Sequence, residues 1–191
     1  MNETATDKLH DKCRNITPVL FSYARKIQKG VLELEQALCE FPAPAGNKTH
    51  IVLHHSLTID SRTVSWPAIR KYHVHTLGWR DIGYHAGIEE IRNPGEYEVL
   101  IGRDYFDTGA HCTQNNMNKK GFGFCFVGNF DETDPPEPML ERAAEYLATV
   151  CRLGNISPEN ITGHRDHNPG KSCPGKRFDI DDFRNRVLEL L

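Results

Sequence analysis

The first long pattern in the chain is helical. From Thr17 to Phe41 the apolar positions Leu20, Tyr23, Ala24, Ile27, Val31, Leu34 and Leu38 fall at three- and four-residue steps, which predicts an amphipathic helix with Gly30 as its weak point. The polar residues ahead of it read as a loose arm, and Phe41-Pro42-Ala43-Pro44-Ala45-Gly46 reads as a linker. Residues 1–46 are therefore expected to be an N-terminal helical extension, and residues 47–191 a domain. The apolar stripe suits packing on that domain or pairing of two copies into a homo-oligomer through the N-terminal helix. After the linker the period changes. Ile51-Val52-Leu53-His54 is a short apolar run of the kind that forms a buried strand. Neighbours on a strand point to opposite faces, so His54 and His55 are not expected to reach one ligand together.

The remaining pattern alternates helices with strands. Ser65 and Pro67 suit a helix start, Trp66, Ile69, His73 and Leu77 line one face, and Gly78 ends it. A strand is expected from Gly83, a turn at Asn93-Pro94-Gly95, and a further strand over Tyr97–Ile101. Residues 108–120 are polar and long for a connection, which suits a functional loop. Phe122-Gly123-Phe124-Cys125-Phe126 alternates large and small residues and is the best candidate for a central strand. A helix from Glu137 to Leu153 follows, then a helical turn at Ser157-Pro158-Glu159. Last comes a helix capped by Asp179 with Ile180, Phe183, Val187 and Leu190 on its buried face. Interleaving of this kind gives an α/β or α+β domain with one sheet at its core.

Composition narrows the function. The chain has 191 residues and a formal net charge of -3, which gives no electrostatic case for nucleic acid. No apolar run reaches membrane-spanning length. The start, Met1 to Asp7, lacks the basic and apolar regions of a signal peptide, so the chain is expected to be cytoplasmic as synthesised and to stay there unless something else releases it. The six cysteines have no framework spacing and read as thiols rather than disulfides.

The stretch with the most chemistry is Thr162-Gly163-His164-Arg165-Asp166-His167-Asn168-Pro169-Gly170-Lys171-Ser172-Cys173-Pro174-Gly175. A strand ends at His164, and the turn that follows is long enough to bring Cys173 back beside it. Imidazole plus thiolate is a zinc-binding pair that lacks a third ligand.

Several short motifs carry a resemblance when taken in order. They are Val52-Leu53-His54-His55-Ser56, Gly78-Trp79-Arg80-Asp81-Ile82-Gly83-Tyr84-His85, Gly102-Arg103-Asp104, Gly109-Ala110-His111, Phe126-Val127-Gly128-Asn129 and Gly163-His164 with Lys171-Ser172-Cys173-Pro174. From about Ile51 to the last helix, this set resembles the zinc-dependent N-acetylmuramoyl-L-alanine amidases of the phage-lysozyme and peptidoglycan-recognition type. Residues 1–46 lie outside the likeness. The resemblance implies an α/β domain with a central mixed sheet flanked by helices and a zinc cleft at one side. It implies one zinc ion held by His54, His164 and Cys173, with Tyr84 and Lys171 as catalytic helpers. It places His111, Asn116 and His85 near the substrate.

The implied reaction is hydrolysis of the amide between N-acetylmuramic acid and L-alanine in peptidoglycan or soluble muropeptides. A bacteriolytic endolysin of a phage or prophage is the implied setting. The alternative is a non-catalytic peptidoglycan-binding module of the same fold. Relative to the family, residues 92–98, 118–122 and 164–173 read as lengthened loops. His73 and His167 read more simply as a packed histidine and a solvated loop histidine, and Cys112, Cys125 and Cys151 as structural thiols.

Overall fold

The computed structural model describes residues 48–59, 65–91 and 93–191. The helix expected over 17–41, its linker and the pairing through it lie outside these residues. The described chain runs β1 (His50–His55), α1 (Trp66–Lys71), β2 (Ala86–Glu90), β3 (Tyr97–Ile101), α2 (Met117–Lys120), β4 (Gly121–Phe126), α3 (Glu137–Gly154), β5 (Ile161–Gly163), α4 (His164–His167) and α5 (Ile180–Glu189). The five strands form one sheet in the order β3-β2-β4-β1-β5. β4 pairs in parallel with β1 and β2, β5 pairs in parallel with β1, and β3 is antiparallel to β2. This is the central mixed sheet, with β4 in the middle as its alternation predicts.

The strand period sorts the two faces. Phe122, Phe124 and Phe126 of β4 join Ile51 and Leu53 of β1, and together they pack against Leu147, Phe183 and Val187 of α3 and α5. The opposite face carries Cys125 and Val127 against Trp66 and Ile69 of α1. Helices therefore cover both faces. α3 ends on Asn155 at φ 50°, and α5 starts on Asp179, whose carboxylate accepts from the amides of Asp181 and Asp182 at 2.9 and 3.0 Å. Among the described residues no helix is long and apolar enough to cross a membrane.

Four expectations need correction. The strand placed at Gly83 begins at Ala86. Ser65 makes no side-chain cap; the Trp66 amide donates instead to the Glu89 carboxylate at 2.6 Å. The first helix continues as a π-helical turn over Tyr72–Thr76, closed by Leu77 N–H to Tyr72 O at 3.1 Å. That wider turn rotates Leu77 off the buried stripe, and it is 41% exposed. At the other end of the chain, Leu190 follows the last turn of α5 and is exposed too.

The sheet face toward α1 leaves no room at β2. A methyl group on Gly87 would press on the Trp66 ring and stand 2.7 Å from the Cys125 carbonyl oxygen. Gly87→Ala is expected to destabilise the fold by about 1–3 kcal/mol through overpacking, read as a shift in the denaturant midpoint. An unchanged midpoint would contradict this packing.

Candidate metal centre and cleft

The site forms where β1 and β5 end side by side. Leu53 pairs with Gly163, so the next residues, His54 within β1 and His164 at the start of α4, follow side by side. Alternation turns His54 to the α1 side of the sheet, and His55 to the other side, where its ring stacks on Phe130 at 6.2 Å. The Asp166 carboxylate accepts from the Gly163 amide at 2.8 Å and starts the single turn of α4 that carries His164. The chain then returns through Asn168, whose carbonyl accepts from the Lys171 amide at 2.9 Å, to Cys173. The Arg165 amide donates to the Cys173 carbonyl at 2.9 Å, which closes the loop. Ser172 Oγ and the Lys176 amide both donate to the Asp131 carboxylate, at 2.6 and 2.8 Å.

These constraints bring one atom each of His54, His164 and Cys173 within 4.8 Å of one another. Cys173 Sγ lies 3.6 Å from His54 Nδ1 and accepts from the His55 amide at 3.1 Å. Burial, then the charges of His111 and His164, holds the His54 imidazole well below its usual range. Burial, then Lys171, brings His164 down to about 4. Both rings are thus neutral near pH 7, the state that binds metals. Burial pushes the Cys173 thiol up to about 12, despite the pull of the His55 amide. A thiol in that position gives up its proton only to a strong local positive charge. Two neutral imidazoles and a buried sulfur converging on one point are the donor set of a zinc ion with an open fourth position, and the residues fit that metal.

Two depressions flank this point. One, of about 490 Å³, is lined by Trp79, His111, Cys112, Gln114, His164 and Lys171 among others. The other, of about 370 Å³, is lined by Ser56, Ile69, Tyr72, His73 and Tyr84. Tyr84 stands with its ring 5.2 Å from that of His54. Burial, then the neighbouring thiols of Cys125 and Cys173, raises its hydroxyl well above the ordinary tyrosine range, so the group stays protonated. Lys171 is exposed at the rim of the first depression.

The other expected residues are distributed differently. His111 is buried against His54, with His54 Nε2 3.1 Å from His111 Nδ1. His85 lies behind it with both ring nitrogens engaged by main chain, Nδ1 with the Gly123 amide at 2.9 Å and Nε2 with the Asp107 carbonyl at 3.0 Å. It therefore has no free ring atom to offer a ligand. Asn116 stands exposed at φ 60° ahead of α2, outside the lining of the cleft. Asn118 is there instead, and its side-chain oxygen accepts from the amides of His111 and Cys112, each at 2.7 Å. His73 is a packed histidine that accepts from the Gly83 amide at 3.1 Å. His167 is held by Thr162 Oγ1 at 2.8 Å and is not part of the cluster.

Two buried cations support the site. Lys48 is 2% exposed and donates to the carbonyls of Asp107 and Lys119 at 2.7 and 3.0 Å. Arg103 is buried and donates to the carbonyls of Ile82, Thr108 and Asp81. Both tie down the loops that carry Tyr84 and His111. The motif Gly102-Arg103-Asp104 hinted at Arg103, whereas no pattern marks Lys48.

Comparison with known proteins finds relatives of this fold. Residues 45–176 match the family model described as N-acetylmuramoyl-L-alanine amidase. The structure is similar to that of the amidase LysC from Clostridium intestinale, with a TM-score of 0.62 at 23% identity over 78% of this chain and 91% of that one. It is also similar to Drosophila PGRP-LB, with a TM-score of 0.57 at 27% identity over 71% of this chain and 79% of that one. In sequence it is 30% identical to peptidoglycan-recognition protein LB of Drosophila melanogaster over 153 residues, 76% of this chain and 61% of that protein. It is 34% identical to protein SC2 of Drosophila simulans over 108 residues, 56% of this chain and 54% of that protein. The chain thus spans between 54% and 61% of the length of these two relatives. The chain belongs to the type 2 N-acetylmuramoyl-L-alanine amidase family, which it shares with the peptidoglycan-recognition proteins.

The protonation states set a test. With both imidazoles already neutral, the thiol is the ligand group left to lose a proton when a metal binds. Between about pH 6.5 and about pH 7.5 the apparent zinc affinity of the wild type is expected to rise about tenfold more than that of Cys173→Asp, whose carboxylate is already ionised. Chelator competition at each pH measures both slopes, and equal slopes would remove the sulfur from the ligand set.

Proposed function

We propose that the chain is a zinc-dependent N-acetylmuramoyl-L-alanine amidase that cuts the bond between N-acetylmuramic acid and the first L-alanine of the stem peptide. The observation that carries this reading is the convergence of His54, His164 and Cys173 within 4.8 Å at the edge of an open depression, in a chain of this family. A Drosophila PGRP-LB tyrosine-to-phenylalanine mutant was solved in complex with tracheal cytotoxin, at 26% identity to this chain. That relative supports a muropeptide as the ligand class here. The reading includes the lysis setting, a phage or prophage enzyme that reaches the wall after release from the cytoplasm.

Zinc, when bound, supplies Lewis acidity toward a carbonyl oxygen and toward water. The chain supplies the rest. His54, His164 and Cys173 would hold the ion. Lys171, at the rim of the first depression, presents an ammonium to the charge that grows on the amide oxygen as the carbonyl is attacked. The protonated Tyr84 Oη, which borders the other depression, donates a hydrogen bond either to that oxygen or to the departing amine of L-alanine. Trp79 and His111 wall the depression and limit how the substrate lies in it.

The test is mass spectrometry of purified cell wall after incubation with the zinc-loaded protein. Stem peptides with a free L-alanine amine, released from intact glycan, are the expected products. Lys171→Ala is expected to slow their release by about 10²–10³-fold with zinc content unchanged. A zinc-loaded protein that sediments with the wall and releases nothing would make it a binding module instead.

A further inference from the structure

We propose that His111 is a positioning residue that fixes the tautomer of His54 and thereby aims its Nδ1 lone pair at the metal point. The inference deepens the zinc reading and rests on it for its purpose, although the tautomer can be measured without metal. His111 Nε2 lies 3.3 Å from the Gly121 carbonyl oxygen. A carbonyl only accepts, so this nitrogen carries the proton, and a neutral imidazole has only one. His111 Nδ1 is then an acceptor, and the partner it faces at 3.1 Å, His54 Nε2, is the donor. With its proton on Nε2, His54 has a bare Nδ1, and that is the atom 3.6 Å from Cys173 Sγ. The opposite tautomer would turn an N–H toward the sulfur and leave two lone pairs facing each other across the His54–His111 contact.

The fold is shaped to hold this ring. A methyl group on Gly123 would stand 2.6 Å from His111 Cγ and 2.8 Å from Nε2, and one on Gly109 would stand 2.5 Å from Cδ2. Two glycines from separate segments thus vacate the volume the imidazole fills. The His111 amide is pinned by Asn118 Oδ1 at 2.7 Å, and the Ala110 amide by the Gly83 carbonyl at 2.9 Å. His85, with both nitrogens committed, backs the ring at a centroid distance of 5.7 Å. The chain of hydrogen bonds therefore runs from the ligand ring of His54 through the clamped ring of His111 to an accepting sheet carbonyl, that of Gly121. Partners of metal-bound histidines act in this way, orienting the ring and raising its basicity.

Long-range ¹H–¹⁵N correlation on the metal-free, ¹⁵N-labelled protein reads the tautomers directly. The expected result is protonated Nε2 and bare Nδ1 on both His54 and His111. His111→Ala is expected to leave His54 as a mixture and to weaken zinc binding by about 10–100-fold in chelator competition. His111→Gln, whose amide oxygen can accept the same proton, is expected to regain most of that loss, which restored packing alone would not achieve. Gly123→Ala, which displaces the ring without removing it, is expected to weaken binding in the same direction. A proton on His54 Nδ1 in the wild type, or equal zinc affinity in His111→Ala and His111→Gln, would overturn the proposal. Protonated His54 Nε2 in a wild type that takes up no zinc would support the hydrogen-bond chain and overturn the zinc reading alone.

Discussion

A thiol buried beside two imidazoles is held protonated by its burial, which outweighs the pull of the His55 amide and of the Lys171 and Arg165 charges. Cys173 is surrounded by His54, the His55 amide and the loop it closes, and its burial opposes the thiolate. Burial equally opposes a proton on His54 or His164. The three groups are therefore compatible as neighbours only while all are neutral, or when a divalent cation sits between them and draws the proton from sulfur. The rest of the site follows from that constraint. The fold must hold three desolvated donors at one point, and it does so by ending two adjacent parallel strands there and folding one loop back.

The supports of that point are mostly main-chain hydrogen bonds made by side chains distant in sequence. Asp131 gathers Ser172 and the Lys176 amide under the cysteine loop. Arg103 and Lys48 collect carbonyls of the loops on the far side. His85 joins the Gly123 amide to the Asp107 carbonyl behind His111. Arg103, Lys48 and His85 satisfy backbone groups of the loops that have no partner in the sheet, which helps to order these loops without secondary structure of their own.

Much of this was legible in the sequence. Strand alternation alone separated His54 from His55, and the alternating phenylalanines located the central strand. The ordered motifs named His164 and Cys173, and the structure does bring them to His54. What escaped was set by contacts across the fold. The π-helical turn that exposes Leu77 answers to packing, not to local propensity. Asn118 and not Asn116 lines the cleft, and Asn116 lies with Asn115 in a left-handed turn before α2 that periodicity does not announce. Lys48 reads as an ordinary charged residue until two carbonyls are found around it.

X-ray absorption at the zinc edge tests the central claim most directly, because it reports the ligands of the ion and not the consequences of binding. Protein carrying one zinc per chain is expected to show one sulfur at about 2.3 Å and two imidazole nitrogens at about 2.0–2.1 Å, with a light atom completing the set. A first shell without sulfur, or one already filled by four protein ligands, would contradict the site described here.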